Sequence, residues 1–111
     1  MRQRRSEMNR DIIRELTDEI RAFADARDWQ KFHTPKNLAM AIAGEAGELA
    51  SEFQWLTPEE SMKHSLTNEQ RKAIELEIAD VQIYLLRLAD VLDVDIPEIV
   101  REKIQINNTR F

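Results

Sequence analysis

Two pairs of carboxylates are the residues of this chain best suited to chemistry. Glu45 and Glu48 are three residues apart, and so are Glu77 and Asp80 farther along the chain. On an α-helix that spacing places both side chains of a pair on one face. Four carboxylates brought together without cations would repel one another and raise one another's pKa. A hard divalent cation relieves that conflict, and ligands that are all oxygen suit Mg²⁺, with Mn²⁺ as the alternative.

The same carboxylates have an ordinary alternative interpretation as charges on a solvated helix face. Helices rich in glutamate produce ExxE and ExxD pairs by composition alone. A ferritin-like di-iron site is disfavoured, because that site uses Glu-x-x-His on two helices. Neither His33 nor His64 has a glutamate three residues before it. Convergence of the two pairs is the feature that separates a metal site from solvated charges.

The first two predicted helices are defined by apolar spacing and by capping residues. Apolar residues at three- and four-residue intervals predict one amphipathic helix from about residue 11 to residue 27. Thr34 and Pro35 form an N-cap and first-turn pair, so a second helix is expected to start there and to carry the first carboxylate pair. The connection that follows is predicted to hold one helical turn after Thr57 and Pro58.

Two more helices are predicted in the C-terminal half. Thr67 and Gln70 form a capping box that opens a third helix, which runs to about Leu92 and carries the second carboxylate pair. The segment DVDIPE ends that helix and begins a fourth, from about Ile96 to Asn107. The sequence therefore predicts a single all-α domain over residues 1–111 with four main helices, packed as a four-helix bundle.

The predicted third helix carries apolar residues on opposite sides. One broad face holds Ile74, Ile78, Val81, Leu85, Leu88 and Leu92, and the opposite side holds Leu76, Ile83 and Leu86. A helix that is apolar nearly all round is buried nearly all round. Because four helices of one short chain can hardly cover it, we predict that the protein is oligomeric.

Composition and charge exclude several classes of protein. The formal net charge is −5, so a nucleic-acid polymer is a poor partner, because phosphate neutralisation supplies most of the affinity for such polymers. The chain has no cysteine, which excludes a disulfide scaffold and cysteine-based zinc sites and fits a reducing cytoplasm. No apolar run approaches the roughly 18 residues of a membrane span. The sequence predicts a cytoplasmic protein without a membrane partner.

Both glycines of the chain, Gly44 and Gly47, fall inside the predicted second helix. Each costs about 1 kcal/mol relative to alanine in a helix interior. Gly44 lies beside Glu48 on the helical wheel, so it leaves backbone bare next to the carboxylates and would admit a bulky ligand or a close helix. Simple helix packing is an equally good interpretation of Gly47, which lies farther round.

Several stretches of the chain carry a family resemblance. GEAGELASEFQW, followed after a spacer by ELEIADVQIYLLRLAD, resembles the MazG-like all-α nucleoside triphosphate pyrophosphohydrolases, whose pattern is ExxE, a spacer and ExxD. RDWQKFHTPKNLAMAIAGEAGELASEFQW and the tail KIQINNTRF look like the dCTP pyrophosphatase branch of that family. The similarity runs from about Ile12 to the C-terminus.

The resemblance implies an activity and a metal. The activity is hydrolysis of dCTP or related deoxynucleoside triphosphates between the α- and β-phosphates, which yields a monophosphate and pyrophosphate and removes unwanted nucleotides from the pool. Mg²⁺ would be held by Glu45, Glu48, Glu77 and Asp80, and either Glu45 or Glu48 would accept the proton of the attacking water. The assembly implied is a homodimer or a tetramer built from two dimers.

The resemblance also implies which residues contact the substrate. Two tryptophans match positions that enclose the base, and a loop around them, one sugar or phosphate contact and a phosphate-binding tail match as well. In that order, the residues are Trp29 and Trp55; Phe32, His33, Lys36 and Asn37; Tyr84; and Lys103, Asn107 and Arg110. Core packing is the alternative for the tryptophans, and a solvated helix end is the alternative for the tail.

One departure concerns base preference. Ile20 stands where mammalian dCTP-specific proteins have a histidine, which puts strict cytosine preference in doubt. The rival to an enzyme is a non-catalytic helical module that binds a nucleotide or a partner helix, with its acidic pairs solvated. An enzyme needs the carboxylates to converge, whereas a binding module does not.

Overall fold

The computed structural model describes the backbone of residues 2–111 and the side chains of residues 12–111. Its helices are α1 (Arg2–Ala26), α2 (Pro35–Ser51), α3 (Asn68–Val91) and α4 (Ile96–Arg110), with one 3₁₀ turn at Lys63–Ser65 between α2 and α3. No β-strand occurs in residues 2–111. The predicted all-α class and its four main helices are confirmed.

Local capping residues account for the places where the helices begin. The backbone N–H of Thr67 donates to Gln70 Oε1 at 2.9 Å, and the N–H of Gln70 donates to Thr67 Oγ1 at 3.1 Å. This reciprocal pair is the capping box predicted for α3. Asp95 caps α4, because its carboxylate accepts from the N–H of Glu98 at 3.0 Å. Three predicted helix starts, those of α2, α3 and α4, are therefore confirmed.

A second capping box lies in the connection between α2 and α3. The N–H of Thr57 donates to Glu60 Oε1 at 2.8 Å, and the N–H of Glu60 donates to Thr57 Oγ1 at 3.1 Å. The N–H of Ser61 then donates to the Thr57 carbonyl at 3.0 Å, as in one turn of helix. The single turn predicted after Thr57 is confirmed.

Two helix ends differ from the prediction. α1 begins at Arg2 rather than near residue 11, and α4 continues to Arg110 rather than ending near Asn107. Both extensions are polar, so they carry no apolar period to indicate a helix. Neither contains a glycine or proline that would stop one, and helical propensity alone lets the helix continue.

The chain divides into two compact units. Residues up to 35 form one unit together with residues 86–111, and residues 36–85 form the other. In the first unit Ala24, Leu86 and Ala89 are buried, and in the second Leu38 and Ile74 are buried. The single domain expected over residues 1–111 stays a prediction.

Large apolar side chains remain exposed on α3 and α4. Leu76 is 55% exposed and Ile83 is 43% exposed on one side of α3, and Ile78 is 47% exposed on the other. The described part of one chain therefore does not bury α3 all round, as the sequence led us to expect. The oligomeric state stays a prediction. Among the residues that the structure describes, no helix is long and apolar enough to cross a membrane.

Candidate functional site

Two helices of the second unit bring three carboxylates together. α2 supplies Glu45, and α3 supplies Glu77 and Asp80. One carboxylate oxygen from each residue lies within 4.8 Å of the other two. A set of three oxygen donors at this separation fits a hard divalent cation. The region 36–85 therefore contains a possible acidic metal site.

Glu77 is half-buried within this set, as Glu45 is, and Asp80 is exposed. The Oε2 atom of Glu77 is shut off from solvent and has no hydrogen-bond partner among the described residues. Burial raises the pKa of the Glu77 carboxyl, and the negative charges of Asp80, Glu45, Glu48 and Glu52 raise it further. A buried oxygen without a donor, surrounded by like charges, fits a position where a cation would be the partner. The residues present thus fit the metal that the family resemblance implies.

Glu48, the fourth predicted ligand, lies outside the set of three. Its side chain is exposed, although its charge contributes to the raised pKa of Glu77. Glu52 contributes to the same pKa and was not among the predicted ligands. The signal that could have found it is the four-residue spacing from Glu48, although Glu52 itself lies one residue past the end of α2.

The two glycines of α2 face open space. A Cβ atom built on Gly44 or on Gly47 would have no other atom within 4 Å, apart from its own neighbouring backbone. Within residues 36–85, no helix therefore packs closely enough on α2 to require glycine at either position. Room for a bulky ligand beside Gly44 stays a prediction.

The connection between α1 and α2 holds a cluster of rings. Asp28 has a positive φ of 55°, and it turns the chain so that the N–H of Trp29 donates to the Ala24 carbonyl at 3.0 Å. The Trp29 ring meets Phe23 edge-on at 5.6 Å and lies 5.9 Å from the His33 ring. Trp29 remains 40% exposed, so it is not a core residue, although its ring packs against Phe23.

A buried arginine that sequence reasoning missed holds His33. The Nε of Arg87 donates to His33 Nδ1 at 3.1 Å, and its Nη1 donates to Asp90 Oδ2 at 3.1 Å. The guanidinium of Arg21 donates two hydrogen bonds to the carboxylate of the same Asp90, at 2.8 and 2.6 Å. A charged residue among the leucines of α3, three residues before an aspartate, is the signal that could have indicated this network.

The His33 environment predicts a pH dependence of stability. Burial, helped by the charge of Arg87, lowers the pKa of His33 below its ordinary 6.5. The unfolded chain therefore binds a proton at higher pH than the folded chain does. The stability that His33 contributes is complete above about pH 6.5 and falls as the pH drops toward the lower folded pKa.

We expect the melting temperature to fall between pH 7.5 and 5.5, and His33→Asn should make that fall shallower. Glu77 acts in the opposite direction, because its raised pKa favours the folded state as the pH falls. The difference between wild type and His33→Asn isolates the histidine. Thermal melts recorded at five pH values would contradict the expectation if the two proteins showed the same slope.

The other predicted substrate residues lie on several elements. The Nζ of Lys31 sits 5.3 Å from the ring centroid of Phe32 in the connection before α2. Tyr84 is half-buried on α3, one turn beyond Asp80, and Trp55 is 87% exposed after α2. The remaining positions are surface or half-buried residues at the start of α2 and along α4, namely Lys36, Asn37, Lys103, Asn107 and Arg110.

The four helices and the carboxylate set define an all-α protein with an acidic centre shared by two helices. The chain belongs to the MazG-like family, whose model matches residues 40–111. That match includes all four predicted metal ligands and the predicted phosphate contacts of α4. It begins after the ring cluster at Trp29, so the connection before α2 rests on comparison with individual relatives.

Three relatives illustrate the comparison. Human dCTP pyrophosphatase 1 is 45% identical over 89 residues, which cover 80% of this chain and 52% of the human protein. Bovine dCTP pyrophosphatase 1 is 42% identical over 106 residues, which cover 96% of this chain and 61% of the bovine protein. The chain thus spans only about half to three fifths of these two relatives. A crystal structure of a pyrophosphatase from Archaeoglobus fulgidus superposes with a TM-score of 0.81 and 42% identity, covering 88% of this chain and 90% of that one.

Proposed function

We propose that this chain hydrolyses deoxynucleoside triphosphates to the monophosphate and pyrophosphate, using Mg²⁺ held by carboxylates of α2 and α3. The observation that carries the proposal is the convergence of Glu45, Glu77 and Asp80 around the solvent-excluded Oε2 of Glu77. Relatives that are named pyrophosphatases and match 80% or more of this chain support it. The biological role we propose is removal of unwanted nucleotides from the pool.

The chain's own residues would divide the work between charge and positioning. When bound, the divalent cation neutralises the triphosphate and acidifies water at the site. Glu45 or Glu48 would accept the proton of the attacking water, because their three-residue spacing puts both carboxylates on one face of α2, beside the cation. Lys103 and Arg110 on α4 supply positive charge for phosphate oxygens.

The substrate class proposed is dCTP and deoxynucleotides of similar size. The human and bovine relatives are named for dCTP, which supports a pyrimidine substrate. Ile20 on α1 has an apolar side chain at a position where the family resemblance implies a histidine in the mammalian dCTP-specific proteins. We therefore propose a broader base preference in this protein than strict selection of cytosine.

A panel of nucleoside triphosphates tests the proposal. Each nucleotide is incubated with the purified chain and Mg²⁺, and both the monophosphate and pyrophosphate are quantified. We expect equal amounts of the two products from at least one pyrimidine deoxynucleotide, and no reaction in the presence of a chelator. Release of orthophosphate instead, or no turnover of any nucleotide, would contradict it.

The rival proposal, a non-catalytic module that binds a nucleotide or a partner helix, differs in its use of the carboxylates. Solvated acidic pairs would have no reason to meet, whereas Glu45, Glu77 and Asp80 lie together. A binding module would retain its affinity for nucleotides when these residues are replaced by amides. The enzyme would lose turnover.

We further propose that the protein works as a homo-oligomer, either a dimer or a tetramer of two dimers. Exposed apolar side chains lie on both α3 and α4, and large exposed apolar patches mark interaction surfaces. Those on α4 are Ile99, Val100, Ile104 and Ile106. Light scattering at micromolar concentration should give at least twice the mass of one chain. A stable mass of one chain would contradict the proposal.

Two tryptophans are proposed to stack on the nucleobase, and their surroundings predict different outcomes. Trp55→Ala should cost roughly 1–3 kcal/mol of substrate interaction, seen mainly in KM, with little change in melting temperature because this side chain is 87% exposed. Trp29→Ala should raise KM and also lower the melting temperature, because its ring packs on Phe23. Unchanged KM in both variants would exclude stacking.

The cytoplasmic location and the absence of a nucleic-acid partner stay predictions. Both follow from composition: a net charge of −5 disfavours phosphate backbones, and the chain has no cysteine.

A further inference from the structure

Arg87 is the one charged side chain that is buried among residues 12–111, at 6% exposure. It lies on α3 outside the carboxylate set, between two leucines of the helix. A buried guanidinium is tolerated only where its donors are matched by acceptors. Here the acceptors are His33 Nδ1 and Asp90 Oδ2, both at 3.1 Å.

The donor pattern of arginine dictates the state of the histidine. A guanidinium carries only N–H donors and stays protonated in proteins, so it cannot accept a hydrogen bond. The hydrogen bond from Arg87 Nε therefore requires an unprotonated Nδ1 on His33. An imidazolium, or a ring with its proton on Nδ1, would set two donors against each other. His33 is consequently neutral, with its proton on Nε2.

A second set of hydrogen bonds fixes the orientation of the Arg87 guanidinium. Asp90 accepts one hydrogen bond from Arg87 and two from Arg21, which reaches it from α1. Bidentate arginine–carboxylate pairs have a defined geometry. Arg21 and Asp90 thus hold Arg87 in the orientation that makes it a donor to His33.

We propose that Arg87 is a positioning residue that keeps His33 as a fixed Nε2–H donor for an acceptor atom on the substrate's base, such as a carbonyl oxygen. The proposal rests on the proposed function, because it takes the connection between α1 and α2 as part of the base pocket. The His33 ring lies 5.9 Å from Trp29, so a base stacked on Trp29 comes within reach of its edge. Cytosine, thymine and uracil each offer a carbonyl oxygen as the acceptor.

Nitrogen-resolved NMR tests the tautomer directly, because the chain has only two histidines. Long-range proton–nitrogen spectra of the full chain at neutral pH, with His64→Asn for assignment, report which ring nitrogen of His33 carries the proton. We expect a single Nε2–H species in the wild type and a mixture of tautomers in Arg87→Met, which lacks the donor. A wild-type His33 that is protonated on Nδ1, or an even mixture, would overturn the proposal.

Kinetics of matched variants test the positioning role. Arg87→Met should raise KM for the preferred nucleotide roughly three- to tenfold, the loss of about one hydrogen bond, with kcat little changed. Arg87→Gln should recover most of that loss, because its amide can still donate to Nδ1 although the charge is gone. Arg71→Met removes an exposed arginine from α3 and should change nothing.

The outcomes separate this proposal from the proposed function. If Arg87→Met shows a mixture of His33 tautomers while its KM stays at the wild-type value, Arg87 has only a structural role and the proposed positioning role is wrong. If Arg87→Met does not fold, the His33 tautomer in the wild-type spectrum and the KM of Arg87→Gln test the positioning role instead. Absence of turnover in every protein, with a single Nε2–H tautomer in the wild type, would reject the proposed function and with it the role of His33 toward a base.

Discussion

Replacing Asp80 by alanine is expected to reduce the proposed triphosphate hydrolysis by at least about 100-fold while the protein stays helical and keeps the molecular mass of the wild type in solution. The carboxylate belongs to the three-oxygen set of α2 and α3, and electrostatic groups that act on the transition state are typically worth 10²–10³ in rate, as order-of-magnitude figures. Glu48→Ala should have the same consequence if its exposed carboxylate joins the set when the cation is bound.

Glu75→Gln is the matched control for this loss. Glu75 is an exposed carboxylate on α3 that pairs with Arg71 at 3.4 Å, and it lies outside the three-oxygen set. Steady-state rates of pyrophosphate release should be near normal in this variant. Near-normal rates in Asp80→Ala and Glu48→Ala as well would end the metal-site proposal.

The three-oxygen carboxylate set also predicts a substitution that lowers activity but raises the melting temperature. Glu77→Gln removes one of several like charges and supplies an N–H donor among carboxylate acceptors, so the metal-free protein should melt at a higher temperature than the wild type. Turnover should be lost together with this gain. A variant that loses activity because it is damaged would instead melt earlier, so the sign of the shift distinguishes the two causes.

Asp90→Ala is expected to cost about 3–5 kcal/mol of unfolding free energy, the range for a buried pair that loses one partner. The substitution leaves Arg87 buried with His33 as its remaining acceptor. It also releases Arg21, but that side chain is half exposed and its share of the loss is small. Urea unfolding monitored by circular dichroism measures the change.

A double variant provides the control for that prediction. In Asp90→Ala combined with Arg87→Met, no charge is left buried without its partner, so most of the lost stability should return. Simple additivity of the two single substitutions would mean that Arg87 and Asp90 do not act as a pair. A cost below about 1 kcal/mol for Asp90→Ala alone would contradict the buried-pair interpretation.

Local chemistry made most of the fold predictable. The capping pairs at Thr67 and Asp95 act over three residues, so the sequence contains everything needed to place the starts of α3 and α4. The extension of α1 to Arg2 was not predicted, because a polar segment has no apolar period from which a helix can be recognised.

The candidate site was predictable in part, for a similar reason. Helical spacing placed Glu77 and Asp80 on one face, and the structure puts Glu45 with them. The same spacing could not separate Glu48 from that set, since a face is about 100° wide and the tilt of the helix decides which carboxylate turns inward. The bond from Arg87 to His33 joins residues 54 apart in sequence, and no local pattern encodes such a contact.

Binding of Mn²⁺ to the purified chain, followed by electron paramagnetic resonance of the free ion, tests the convergent carboxylates most directly. We predict saturable binding to the wild type and to Glu75→Gln, weakened at least about tenfold in Glu77→Gln and Asp80→Ala. Mg²⁺ should displace the ion in competition. Equal binding by all four proteins, or no saturable binding by the wild type, would contradict a metal centre built from Glu45, Glu77 and Asp80.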